Sequence, residues 1–179
     1  LCFADSSLPE VLGVKMIYGN REQALLSPNS VLICKSLSQK YFPNQDPTGK
    51  MLVFNNNTKD LITIGGVMED FPANSHLQQY RGFISLAGIN FWNGEQEAWN
   101  ASNYGIYLQI RPDADIKAFN KKMTAGILNK YVIPAMKADG QTNAEDNVKG
   151  ASLLLQPVTD IHLQSFNIDE DHVKHGDIR

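Results

Sequence analysis

The sequence holds little of what usually announces an activity. It has two cysteines, Cys2 and Cys34, in 179 residues. A lone pair builds no disulfide framework, and neither cysteine has a neighbour spaced as a metal ligand. Cys34 stands in "SVLIC", an apolar pattern in which a buried thiol acts as a small hydrophobe; a Cys2–Cys34 bridge is the alternative. No apolar run approaches the ~20 residues that cross a bilayer. The 16 lysines and arginines form no run, and the net charge is −3, so no nucleic-acid surface is indicated. There is no G-x-S-x-G elbow, no H-E-x-x-H helix and no C-x-x-C pair. Internal repeats of 20–50 residues are absent too.

What is present is globular material. Hydrophobic residues make up 42% and charged residues 20%, a balance that buries a core and excludes a disordered chain. The chain starts at Leu1 without a Met or a signal peptide and stops at Arg179 in a polar segment, as expected for a piece of something longer. "SSLPEVLG" reads as a short helix with a serine cap and Gly13 at its stop. "VKMIYG" and "SVLIC" read as strands, and "KSLSQKYF" as a helix burying Leu37, Tyr41 and Phe42. "MLVF" and "LITIGGVMEDF" form a hairpin, with Gly65-Gly66 marking a bulge or a close backbone approach.

Further on, "YRGFISLAGI" is a strand and "NFWNGEQEAWN" a loop or short helix. "NYGIYLQIRP" alternates, with Tyr104, Ile106, Leu108 and Ile110 on one face. The longest helix follows, capped by Asp115, with Ile116, Phe119, Met123, Ile127 and Tyr131 in one stripe and Pro134 ending or kinking it. "ASLLLQPVTDIHL" is expected as a last strand, so that 103–158 reads as a β-α-β crossover with the helix stripe on a sheet of 104–111 and 152–158. The expected class is α+β in two lobes: a small β-rich lobe (strand-helix-hairpin) over about 14–70, a porter-like β-α-β lobe over about 71–160, and a tail at 161–179.

Candidate chemistry is thin. "YFPNQDPTGK", residues 41–50, ends in Gly-Lys like a phosphate loop, but Asn44 occupies the first glycine's place and Met51 that of the Ser or Thr. Asn44, Asp46, Pro47 and Gly49 are turn residues, and Gly49 is expected at positive φ with Lys50 facing solvent. His162, His172 and His175, with Asp169, Asp171 and Asp177, contain metal-ligand types, but their spacing matches no known motif; a solvated acidic linker is the competing reading. His76 reads as a turn residue. Tyr104, Tyr107, Trp92 and Trp99 would line a sugar or peptide groove, or else pack across strands. No catalytic, cofactor-binding or metal-binding residue is assigned, and no cofactor.

Three stretches in order resemble a known family. "SPNSVLICKSLSQKYFPNQDPTGKMLVF", "ITIGGVMEDFPANSHL" and "LLLQPVTDIHLQS…GDI" are similar to the periplasmic core domain of MacB-like, or FtsX-like, ABC-transporter permeases of the Bacteroidetes-type variant. Cys34-Lys35 stands where that pattern has Ser-Glu. The resemblance covers nearly the whole chain. It implies a permease with four membrane helices and a two-lobed domain between the first and second, on the periplasmic side of a bacterial inner membrane. The small lobe matches about 14–70. The second half of the porter-like lobe matches 103–158, with the first half expected before Leu1 and a membrane helix after "GDIR".

The partners implied are the protein's own transmembrane helices, a separate ABC ATPase subunit and a periplasmic adaptor protein. The domain itself is expected to have no enzymatic activity. Its expected role is to couple ATP-driven motion of the helices to export or to a periplasmic partner. The alternative is a ligand-binding sensor for a peptide, lipid or antibiotic, which needs a concave apolar pocket. A metal-dependent hydrolase needs His162, His172 and His175 to converge.

Overall fold

The structure, a computed structural model, describes residues 1–165 apart from 55, 56, 58, 59, 100, 102 and 103. It is α+β and divides into two compact units. One comprises 1–89 together with the chain from Val158, and the other comprises 90–157.

The first unit is built on one mixed six-stranded sheet. Its strands are β1 (Cys2–Ala4), β2 (Met16–Tyr18), β3 (Ser30–Cys34), β4 (Met51–Val53), β5 (Leu61–Met68) and β6 (Gly82–Ser85). The order is β1-β6-β3-β5-β2, with β4 also pairing β5. β3 runs parallel to β5 and antiparallel to β6. β1 and β6, outside residues 14–70, therefore belong to the same sheet as the β4–β5 hairpin.

All five residues of β3 are buried. That is why "SVLIC" is continuously apolar and does not alternate: both faces of the sheet are covered at this strand. On one face Leu32, Cys34, Met68 and Phe83 pack with Ala24, Leu25 and Leu77. Leu8 and Leu12, from helix α1 (Leu8–Val11) and its cap, close that side. On the other face Val31, Ile33, Ile64, Val67 and Ile84 meet Leu37 and Phe42, carried by helix α2 (Lys35–Tyr41) and its C-cap. Each large side chain so buried contributes roughly 1.5–3 kcal/mol.

The two-sided core requires a parity switch in β5. Val31 pairs with Ile64, but Leu32 pairs with Gly66, so Gly65 is the extra residue of a bulge. The bulge returns Val67 to the face of Ile64 and puts Met68 on the opposite one. Gly65 is also a place of close approach: a Cβ there would lie 2.0 Å from the Ala24 carbonyl oxygen. The 20–27 loop is anchored in turn, since the buried Ser85 hydroxyl donates to the Leu25 carbonyl at 2.7 Å.

The start of α2 is held from a distance. The Asp70 carboxylate, just past β5, accepts the Ser36 amide (3.0 Å) and the Ser36 hydroxyl (2.6 Å), and Arg81 lies 3.5 Å away. Burial opposes its ionisation. Hydrogen bonds from the Ser36 and Cys34 side chains and the Ser36 amide, with the Arg81 charge, outweigh that and hold its pKa below the usual carboxylate range.

The second unit is helical. Helix α3 (Ile116–Ile127) is capped by Asp115, whose carboxylate accepts the Ala118 amide at 3.0 Å. The helix does not stop at Pro134. A π turn over Leu128–Val132 leads into α4 (Ile133–Ala138), with Pro134 in its first turn. There the missing N–H costs nothing, and the wider π coil takes up the misfit that proline creates. Helix α5 (Ala144–Asn147) follows.

Two expected strands are not formed. Residues 104–110 and 151–157 pair with no strand among the described residues. Side chains of α3 serve the second segment: Thr124 Oγ1 accepts the Leu153 amide (2.9 Å) and Asn120 Oδ1 the Leu155 amide (3.2 Å). Alternation was legible in the first segment and an apolar run in the second, but a strand also needs a neighbour. The helix stripe consequently has no sheet beneath it. Met123, Ile127 and Tyr131 are half-buried, while Ile116 and Phe119 are exposed. The third correction concerns 158–164, which form helix α6 (Val158–Gln164), started after Pro157, where the sequence suggested the strand would continue.

Two stability predictions follow from this packing. Gly65→Ala forces the Ala24 carbonyl aside and should cost about 1–3 kcal/mol. Gly49→Ala meets no atom within 4 Å and strains only a backbone at φ 82°, so thermal melts should place Gly65→Ala lower; equal melting would show that the 20–27 loop yields freely. Asp70→Asn should cost about 1 kcal/mol at neutral pH, as loss of a helix cap does. Because the folded pKa of Asp70 is lowered, its contribution is present above the ordinary carboxylate value of about 4 and is lost as pH falls below it. Urea titrations should therefore show the gap between parent and variant narrowing as pH falls below about 4, and a gap unchanged with pH would remove Asp70 from that role.

Candidate functional site

The Gly-Lys turn at 41–50 is tied into the sheet. Gly49 has φ 82° and Asn44 φ 57°, both in the left-handed region that these residue types tolerate. The Asp46 carboxylate accepts the Thr48 amide at 2.9 Å, and Pro47 is fully buried. The Gly49 amide donates to the Ile64 carbonyl, and the Ile64 amide donates back to Lys50, both at 2.8 Å. The amide that a phosphate loop would present to a nucleotide is thus spent on β5. Lys50 is exposed, bonded to Gln45 and 5.2 Å over the Phe42 ring.

Beside this turn, between β2 and α2, lies a shallow groove of about 170 Å³. Ile17, Phe42 and Val67 form its apolar lining, with Lys35, Gln39 and Asn44 among its polar residues. Pockets that enclose organic ligands run to ~300–1,000 Å³. Lys35 is engaged with Glu69 at 3.3 Å.

The histidines divide. His76 is buried, and burial, followed by the charge of His162, lowers its pKa. His162 stands half-buried on α6, so these two are electrostatic neighbours. His172, His175, Asp169, Asp171 and Asp177 lie outside the described residues. Among the described residues no three His, Cys, Asp or Glu side chains are grouped to hold a metal ion. Cys2 and Cys34 are both free thiols. Burial raises the Cys2 pKa.

The aromatic residues of the second unit have other commitments. Trp99 stacks on Tyr131 with ring centroids 4.1 Å apart. The Tyr104 hydroxyl donates to Glu95 at 2.6 Å, which raises the Tyr104 pKa. Glu95 is 4% exposed and also accepts the Phe91 amide at 2.9 Å. Glu95 and Asp70 are the carboxylates that organise local structure, and the sequence did not distinguish them. Nothing in their flanking residues marks them apart from solvated acids, since their partners sit in folded geometry.

No described helix is long and apolar enough to cross a membrane. No curated protein matches the chain. The chain is similar in fold to the crystal structure of a domain described as part of a permease protein from Porphyromonas gingivalis. The identity is 23%, the TM-score is 0.50, and the match covers 80% of this chain and 60% of that one. This chain thus spans less than two thirds of its structural neighbour. The family described as MacB-like periplasmic core domain matches residues 1–125, more than half of the chain. The chain belongs to the MacB-like periplasmic core domain family.

Proposed function

We propose that this chain is the periplasmic portion of an ABC-transporter permease. In this role it passes ATP-driven motion of membrane helices to an exported substrate or to a periplasmic partner. The family match over residues 1–125 carries the reading. The geometry supports it: the turn that resembles a phosphate loop has its amide bonded within the sheet, in keeping with ATP being held by another subunit. A sheet cored on both faces and cross-tied by Asp70, Ser85 and Gly49 is a body suited to moving as a unit.

Transmission depends on a stiff connection to the membrane helices. A flexible Gly-Ser segment inserted after Asp171 in the full-length permease should leave ATP hydrolysis near normal and reduce export sharply. Alanine at both His172 and His175 should leave export unchanged. Reconstituted transport and ATPase assays read both; full export with the insertion would sink the mechanical role, and lost export with the double alanine would point to metal chemistry. Calorimetric titration of the 179-residue chain with magnesium and ATP should release no binding heat, whereas a micromolar site would contradict the structural role of Gly49 and Lys50.

A further inference from the structure

The helical run from α3 to the end of α4, residues 116–138, carries Lys117, Lys121, Lys122, Lys130 and Lys137 and no acidic residue, in a chain whose net charge is −3. The inward side of α3 is defined by Asn120 and Thr124, which bond the 153–155 segment, and by half-buried Met123 and Ile127. The outward side shows Lys117, Ala118, Lys121, Lys122, Ala125 and Gly126, all exposed. Among the described residues no carboxylate forms an ion pair with Lys117, Lys121 or Lys122; the pairs that form involve Arg21, Lys35, Arg81, Arg111 and Lys137.

These lysines work against the helix that bears them. Lys117 and Lys121 are four residues apart, so like charges stack on one side. Lys117 also stands in the first turn, at the positive end of the helix dipole, where Asp115 at the N-cap is the acidic residue. Folding gives no reason for this arrangement, whereas an anionic surface in contact with the helix does.

We propose that the outward face of α3 binds the anionic phospholipid surface of a membrane. The lysines would lie at the level of the phosphates. The side-chain chemistry favours lipid over an acidic protein. Protein interfaces are depleted in lysine and enriched in arginine. This face is all lysine, a flexible point charge suited to diffuse negative charge. Between the lysines stand the small exposed residues Ala118, Ala125 and Gly126. The inference takes from the family only that the domain belongs to a protein with a membrane beside it. It is tested without transport, so its failure leaves the proposed coupling role standing.

The test is flotation of the 179-residue chain with vesicles of phosphatidylcholine alone or with about 30% phosphatidylglycerol. The chain should float with the anionic vesicles at about 50 mM salt, be released near 0.5 M, and ignore the neutral ones. Each lysine near such a surface strengthens binding about fivefold. Lys117→Gln, Lys121→Gln and Lys122→Gln together should therefore weaken it on the order of 100-fold, with no loss of thermal stability because the positions are exposed. Arginine at all three should restore binding, while Lys15→Gln with Lys149→Gln should barely change it. No flotation with anionic vesicles at low salt, equal flotation with both vesicle types, or full binding by the triple glutamine variant would each overturn the proposal. Capture of an acidic protein by this face in the absence of vesicle binding would do the same.

Discussion

The Ala24 carbonyl oxygen sits 2.0 Å from where a side chain on Gly65 would begin, and the first unit is organised around that contact. Because residue 65 has no Cβ, the 20–27 loop can lie directly on β5 and seal one face of the sheet with Ala24 and Leu25. Because residue 65 is also the extra residue of a bulge, the side chains beyond it change faces. Val67 then joins Ile64 while Met68 joins Leu32. A sheet covered on both sides by short helices and loops needs both properties at one position, and only glycine has them.

Polar ties then fix the surroundings of that core. Asp70 reaches back to the first turn of α2, Ser85 holds Leu25, and Gly49 with Lys50 clasps Ile64. Each of these joins segments apart in sequence, and the bond from Ser85 to Leu25 is buried. The result is a body in which conspicuous residues are spent on internal bonds. For the proposed role of passing motion along, internal bonding of this kind is the useful property.

The second unit is organised differently. Its extended segments rely on side chains of α3 for hydrogen bonds, and much of its apolar surface is open: Ile106 is 80% exposed and Leu154 71%. Its helix directs a lysine-rich side outward. One unit thus spends its chemistry inward, on stability. The other presents both apolar and basic chemistry to whatever lies next to it.

The sequence alone determined the elements whose signals are local. Asp115 announced the start of α3 as a capping residue type, Gly49 the positive-φ turn, Gly65-Gly66 a bulge or close backbone approach, and the apolar run in "SVLIC" a strand. The three ordered motifs were enough to indicate the family, because they are strings of residues and need no geometry. Tertiary structure decided what depends on a neighbour. Alternation in 104–110 and the apolar run in 151–157 looked like two strands, yet a strand exists only where a second chain segment offers its backbone, and at Leu153 and Leu155 the side chains of Thr124 and Asn120 take that place. Pro157 was read within a strand but opens a helix, which carries His162 towards His76. Asp70 and Glu95 look like any surface acid in the sequence. Their partners, Ser36, Arg81 and Tyr104, reach them only in the folded chain, and hydrogen bonds act over about 3 Å of space whatever the separation along the chain.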